Sequence, residues 1–142
     1  MISQQLEACL QLNRANLAMA HRFDRSLGGY YGLGFNDFVL LFHIDGAPEK
    51  RIRRVDLAEK VGLSISGITR ALIPLEKIGV VARQSDPRDA RIAYAVMTES
   101  GTALFENAMR SAEELARDVI PHVTDPKVEE FTKQLKAISG VR

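Results

Sequence analysis

The chain contains a single cysteine, Cys9, so no internal disulfide can form. Its three histidines, His21, His43 and His122, stand far apart and fall in no H-x-x-x-H or Cys/His spacing of the kind that holds zinc. There is no glycine-rich phosphate loop and no G-x-S-x-G nucleophile turn. No apolar run approaches the roughly 20 residues that a membrane-spanning helix needs. The opening residues, MISQQLEACLQLNR, lack the basic start and apolar stretch of a signal peptide. These absences argue against an enzyme, a resident cofactor or metal, and membrane association, and they lead us to expect a cytoplasmic protein.

The formal net charge is only +1 over 142 residues, a length that makes one domain. The charge is unevenly spread. Between Pro48 and Arg91 ten Lys and Arg stand against six Asp and Glu, a local +4, while the remainder holds nine against twelve, a local −3. A basic middle between neutral to acidic ends suits a nucleic-acid face on a neutral scaffold.

That middle has a readable pattern. Leu57, Ala58 and Val61 form a short helical stripe, and Gly62 can end that helix in the left-handed conformation. Ser64 then offers an N-cap hydroxyl to a second helix, whose apolar positions Ile65, Ile68, Leu72, Leu75 and Ile78 recur every three or four residues up to Gly79. Two helices across a tight glycine turn make a helix-turn-helix. The first turns of the second helix carry Ser64, Ser66, Gly67, Thr69 and Arg70, the small, hydroxyl and cationic groups that a major-groove reading helix uses. An ordinary core helix with a polar outer face has the same pattern.

The stretch after the helix pair tips the balance. Val80, Val81 and Ala82 lead into Arg83, and Ile92, Tyr94 and Val96 alternate with Ala93, Ala95 and Met97, as two strands would. Between them runs QSDPRDAR, a turn-forming stretch with two arginines and two aspartates. A hairpin with a charged tip directly after a helix-turn-helix is a wing whose arginines suit the negative minor groove. Asp89 is placed to brace Arg91 through a bidentate pair. The alternative is a solvated loop that uses such pairs only to stay ordered.

The segment from Leu57 to Gly101, with its D-P-R-D-x-R wing at Asp86–Arg91 and the T-x-x-G helix start at Thr98–Gly101, resembles the MarR family of winged-helix transcription regulators. The resemblance implies a mainly α-helical fold with a small β-hairpin, and a homodimer on a pseudo-palindromic double-stranded DNA operator. It also implies a repressor, one often released by a small-molecule effector or by oxidation. Carried over by position, Ser64, Ser66, Gly67, Thr69 and Arg70 would face bases and phosphates, and Arg88, Asp89 and Arg91 would form the wing. Two departures stand out. Val55 occupies a position where many relatives have a Ser or Thr N-cap, and Pro74 leaves the Arg70 carbonyl without its usual partner, so the second helix is expected to bend modestly.

The flanking segments complete the expectations. Residues 2–27 show a helical stripe through Leu6, Leu10, Asn13, Leu17, Ala20, Phe23 and Leu27, too long for a small domain to cover. Cys9 lies beside that stripe, and Tyr30 and Tyr31 invite comparison with the family's peroxide sensors, although a buried hydrophobe is the commoner role for such a cysteine. Gly28, Gly29, Gly32 and Gly34 mark a flexible turn holding the two tyrosines. A short apolar helix from Phe35 to Ile44 comes next, with Asn36 as its expected N-cap. Tyr30, Tyr31, Phe38, Phe42 and His43 are candidates to line a ligand cavity at the junction of the first, second and fifth helices, or else are plain core. Residues 47–54 read as a loop or short strand whose Lys50, Arg51, Arg53 and Arg54 could grip phosphates or simply be solvated. After the wing, a long helix runs from Thr98 to about Ile120, stopped by Pro121, and a last helix starts at Asp125-Pro126. Residues 35–98 are thus expected to form the winged helix-turn-helix part of a single domain, and residues 1–27 and 99–142 its dimerisation helices. A winged-helix module that binds a protein, or a regulator that senses oxidants through Cys9, is the remaining alternative.

Overall fold

A computed structural model describes residues 1–120 and 125–140. Among the described residues six α-helices and a small sheet succeed one another: α1 (Gln4–Tyr31), α2 (Phe35–Asp45), β1 (Arg51–Arg53), α3 (Arg54–Val61), α4 (Ile65–Lys77), β2 (Val81–Ser85), β3 (Ala93–Met97), α5 (Glu99–Val119) and α6 (Asp125–Ser139). No described helix is long and apolar enough to cross a membrane. Pro121 and His122 lie outside the described residues.

The 28 residues of α1 make a rod of about 42 Å. Its start is capped by Ser3, whose hydroxyl accepts the Leu6 N–H at 3.1 Å. The helix does not break at Gly28. It continues through Gly28, Gly29, Tyr30 and Tyr31 and ends only at Gly32, which takes the left-handed conformation at φ 67°. The expected glycine-rich flexible turn is therefore mostly helix. Hydrogen bonding at the end explains this: the Tyr31 hydroxyl lies 2.7 Å from Ser111 Oγ and donates to the Asn107 carbonyl at 3.2 Å, pinning the last turn of α1 to α5.

Asn36 is not the cap of α2. Gly34 holds that place, its N–H donating to Asp37 Oδ2 at 2.9 Å, while Asp24 reaches across from α1 to accept the Phe35 N–H at 2.6 Å. A carboxylate from another helix thus does what sequence reasoning assigned to a local side chain. The apolar face of α2 then buries Phe38, Leu40, Leu41 and Ile44. Phe38 packs on Phe105 of α5 with ring centroids 5.4 Å apart, and Phe23 of α1 stacks on Phe35 at 4.6 Å.

Residues 51–53 form a true strand, so the wing belongs to a three-stranded antiparallel sheet of order β1-β3-β2. Ile52 sits opposite Ala95, and Val81 opposite Met97. These four side chains are buried. The sheet closes the core beneath α2, α3 and α4, whose Ile44, Leu57, Ile68 and Leu72 are wholly inaccessible.

The helix-turn-helix closes as its residues require. Gly62 sits at φ 70°, where a Cβ would be strained, and the Leu63 N–H reaches back to the Ala58 carbonyl at 2.9 Å. The same wrap ends α4, with Val80 N–H on the Leu75 carbonyl at 3.1 Å. Val55 is not the cap of α3; Arg53 is, without a side-chain cap bond. The helix α4 runs on through Pro74 to Lys77.

The T-x-x-G stretch has a steric meaning. Thr98 caps α5 by accepting the Gly101 N–H at 3.0 Å and donates to the Gly79 carbonyl at 2.6 Å. Ser100 donates to the same carbonyl at 3.0 Å. Gly101 is buried so close to the Val80 carbonyl that an added Cβ would lie 2.0 Å from its oxygen and 2.9 Å from Met97 Sδ. No rotamer relieves a clash with backbone. We expect Gly101→Ala to destabilise the fold by about 3 kcal/mol in urea unfolding; a change within ~0.5 kcal/mol would show that this junction yields freely.

Candidate nucleic-acid interface

The first turns of α4 carry Ser64, Ser66, Gly67, Thr69 and Arg70. The Ser64 hydroxyl accepts the Gly67 N–H at 3.0 Å, which makes it the N-cap, and lies 3.2 Å from Ser66 Oγ. A Cβ at Gly67 would meet Ser64 Oγ at a tight 3.1 Å and the Leu63 Cβ at an ordinary 3.5 Å. The Thr69 hydroxyl donates back to the Ile65 carbonyl at 3.0 Å. Arg70 is exposed and, among the described residues, has no acidic partner.

The wing is built around a residue that sequence reasoning counted only as a turn former. One carboxylate oxygen of Asp86 accepts the N–H groups of Arg88 at 2.7 Å and Asp89 at 3.1 Å, and the other accepts the Tyr94 hydroxyl at 3.1 Å. The Arg88 N–H above all, with the Tyr94 hydroxyl, the Asp89 N–H and the nearby Arg51 charge, holds Asp86 below the ordinary carboxylate pKa. The D-P-R-D pattern is the available signal, since an Asp heading a turn commonly accepts from the backbone two and three residues on.

Asp89 and Arg91 meet as a fork. Arg91 Nε donates to Asp89 Oδ1 and Nη2 to Oδ2, both at 3.0 Å. The Arg91 guanidinium and then its backbone N–H keep the Asp89 carboxyl below its usual range. The Arg91 side chain is 90 % exposed, so the pair does little for folding; it fixes the direction of a charge.

The basic cluster before α3 is spent within the molecule. Lys50 pairs with Asp45 at 2.9 Å, and Arg53 with Asp56 at 3.1 Å. Arg51 donates to Gln84 at 3.0 Å and lies over the Tyr94 ring at 4.4 Å, tying β1 to the root of the wing. Arg54 is a correction to the expected phosphate contacts. It is 6 % exposed and bound to Glu76 of α4 at 2.5 Å, so it bridges the two helices of the pair and has no reach to solvent. Arg83, which sequence reasoning passed over, is exposed on β2 and, like Arg88, has no acidic partner among the described residues.

The five residues proposed for a ligand cavity do not converge. Phe38 is core, Tyr31 is bonded to α5, and Tyr30 is 87 % exposed, so these three do not face one cavity. Phe42 and His43 instead line an open cleft with Arg51, Asp56, Phe105 and Met109. Burial first, then the Lys60 charge, lowers the His43 pKa and favours its neutral form. Cys9 is exposed near the start of α1. Some 21 residues of helix, about 32 Å, separate it from Tyr30 and Tyr31, so the three cannot form one sensor site within a chain.

Comparison with known proteins agrees with this architecture. Residues 35–93, from the start of α2 into β3, match the MarR family model. An uncharacterized HTH-type transcriptional regulator of Bacillus subtilis, YdgJ, is 27% identical over 122 residues, covering 86% of this chain and 71% of that protein. The HTH-type transcriptional regulator MhqR of the same organism is 24% identical over 141 residues, covering 97% and 93%. Among solved structures, Sco3205 of Streptomyces coelicolor, a MarR family transcriptional regulator in complex with DNA, superposes with a TM-score of 0.88 at 20% identity, covering 98% of this chain and 88% of that one. The transcriptional regulator BldR of Sulfolobus solfataricus gives a TM-score of 0.87 at 25% identity, covering 98% and 99%. The winged helix-turn-helix on a mainly helical scaffold, the family-model match over residues 35–93 and these relatives make the chain similar to MarR family transcriptional regulators.

Proposed function

We propose that this protein is a cytoplasmic, sequence-specific double-stranded DNA-binding regulator that acts as a homodimer, a repressor released by a small ligand. The observation that carries the reading is the distribution of unpaired cations. Arg70 on α4 and Arg83 and Arg88 on the wing have no acidic partners among the described residues, and Asp89 aims a fourth, Arg91, outward. In this reading Ser64, Ser66, Gly67, Thr69 and Arg70 enter a major groove, and Arg88 and Arg91 approach the adjacent minor groove with Asp89 as brace. Residues 35–98 form the DNA-binding part. The structure of a DNA-bound relative, Sco3205, supports it.

The dimer rests on unfilled apolar surface. Leu6, Leu10 and Leu17 of α1 are 47, 53 and 62 % exposed, and Phe131 and Ile138 of α6 are 46 and 69 % exposed. Helices bearing such faces at both chain ends are the dimerisation elements of the proposal. A two-fold pair would set two α4 helices about 34 Å apart, one turn of B-DNA, on a pseudo-palindromic operator. The cleft holding Phe42 and His43 is where an effector would act, by favouring one spacing over the other.

Titrating the full chain against duplexes selected from a random pool tests the reading. Affinity for the selected duplex is expected to fall by about 10³-fold or more between roughly 50 and 200 mM salt. Arg91→Ala is expected to cost at least about tenfold and to flatten the salt slope by about one for each half-site; unchanged affinity would remove the wing from the interface. Asp89→Asn separates aim from charge. Loss of the brace should weaken selected duplexes while leaving random ones as tight or tighter, since a negative charge has gone; equal tightening of both would mean that Arg91 needs no aiming. Leu10→Glu is expected to shift the protein from dimer to monomer in analytical ultracentrifugation, whereas an unaltered dimer would place the interface elsewhere.

A further inference from the structure

The face that α4 would turn to a partner is less polar than its sequence. Of its hydroxyls, Ser64 is committed to the Gly67 N–H and lies close to Ser66, and Thr69 donates to the Ile65 carbonyl. With its hydrogen so committed, the Thr69 hydroxyl can only accept, and its methyl group stands beside it. Four residues earlier, on the same face, Ile65 stands 63 % exposed, although Ile68, Leu72 and Leu75 of the core stripe are buried. An isoleucine in the first turn of this helix therefore faces water, and Arg70, one turn on, has no acidic partner among the described residues.

A major groove presents hydrogen-bonding atoms at every base pair but only one apolar group, the C5-methyl of thymine. A branched alkyl side chain on a groove-facing helix is complementary to that methyl and to nothing else on the base edges. The surrounding cations favour a polyanion over an apolar protein surface as the occupant of this face. We infer that Ile65, together with the methyl of Thr69, reads a thymine in each half-site, while Arg70 supplies the polar contact next to it. This rests on the DNA-binding reading above and goes beyond it by naming the base and the atom recognised.

The test removes that atom alone. From a duplex obtained by selection with the full chain, each thymine is replaced singly by deoxyuridine, which lacks only the C5-methyl. At one position per half-site the replacement is expected to weaken binding about fourfold, and about sixteenfold when made in both half-sites. Ile65→Ala should bind the thymine duplex more weakly and lose less affinity on the uracil duplex than the parent does, the remainder resting on the Thr69 methyl. Thr69→Ser keeps the hydroxyl bond to Ile65 and removes only the methyl, so it should lose part of the discrimination while its circular dichroism and melting stay those of the parent. A defined site at which uracil has no effect at any position would overturn the inference and leave the DNA reading intact. Uracil sensitivity undiminished in both variants would overturn it as well. Selection that yields no defined site would overturn both.

Discussion

A backbone-on-backbone contact holds the scaffold to the winged helix. At the start of α5, Gly101 lies against the Val80 carbonyl, and the Thr98 and Ser100 hydroxyls share the carbonyl of Gly79. The end of α4, the start of β2 and the start of α5 are therefore one junction. From it α5 runs 21 residues, placing Phe105 on Phe38 and Ser111 beside the Tyr31 hydroxyl. A contact made by packed backbone has little compliance, so a shift of α5 carries α4 and the wing root with it.

Charge is divided in the same economical way between holding and reaching. Arg54, 7 % exposed at its side chain, spans from α3 to α4 through Glu76 and keeps the helix pair at a fixed crossing. Truncating either partner of such a pair leaves a desolvated charge behind, which is why it persists as a unit. Arg51 does comparable work by stacking on Tyr94. Among the described residues, Arg70 on α4 and Arg83 and Arg88 on the wing are left without an acidic partner.

Much of this was legible in the sequence, and the exceptions share a cause. Ser64 and Thr98 as caps, Gly62 as a helix end, and the Asp89–Arg91 fork are local: each depends on residues two to four positions apart. The misplaced features depend on partners far along the chain. Gly28 to Tyr31 stay helical because of Asn107 and Ser111, Gly34 caps α2 with help from Asp24, and β1 exists because β3 is there to pair with it. Arg54 looked like a surface cation because nothing nearby in sequence shows Glu76 approaching it. Among the candidate site residues, those on α4 and the wing sit where local pattern puts them, while the supposed ligand set scatters, since aromatic residues next to glycines carry no information about which cavity they enter.

The wing has one consequence for kinetics. Because a single aspartate gathers the hairpin tip, taking two backbone N–H groups and a tyrosine hydroxyl, the loop is ordered before any partner arrives. Little conformational freedom remains to be surrendered on docking, so the encounter proceeds without a slow rearrangement of the tip. Dissociation is then set by the contacts themselves. The residence time of the complex, and with it the sharpness of a regulatory response, depends on a short turn holding its shape in solution.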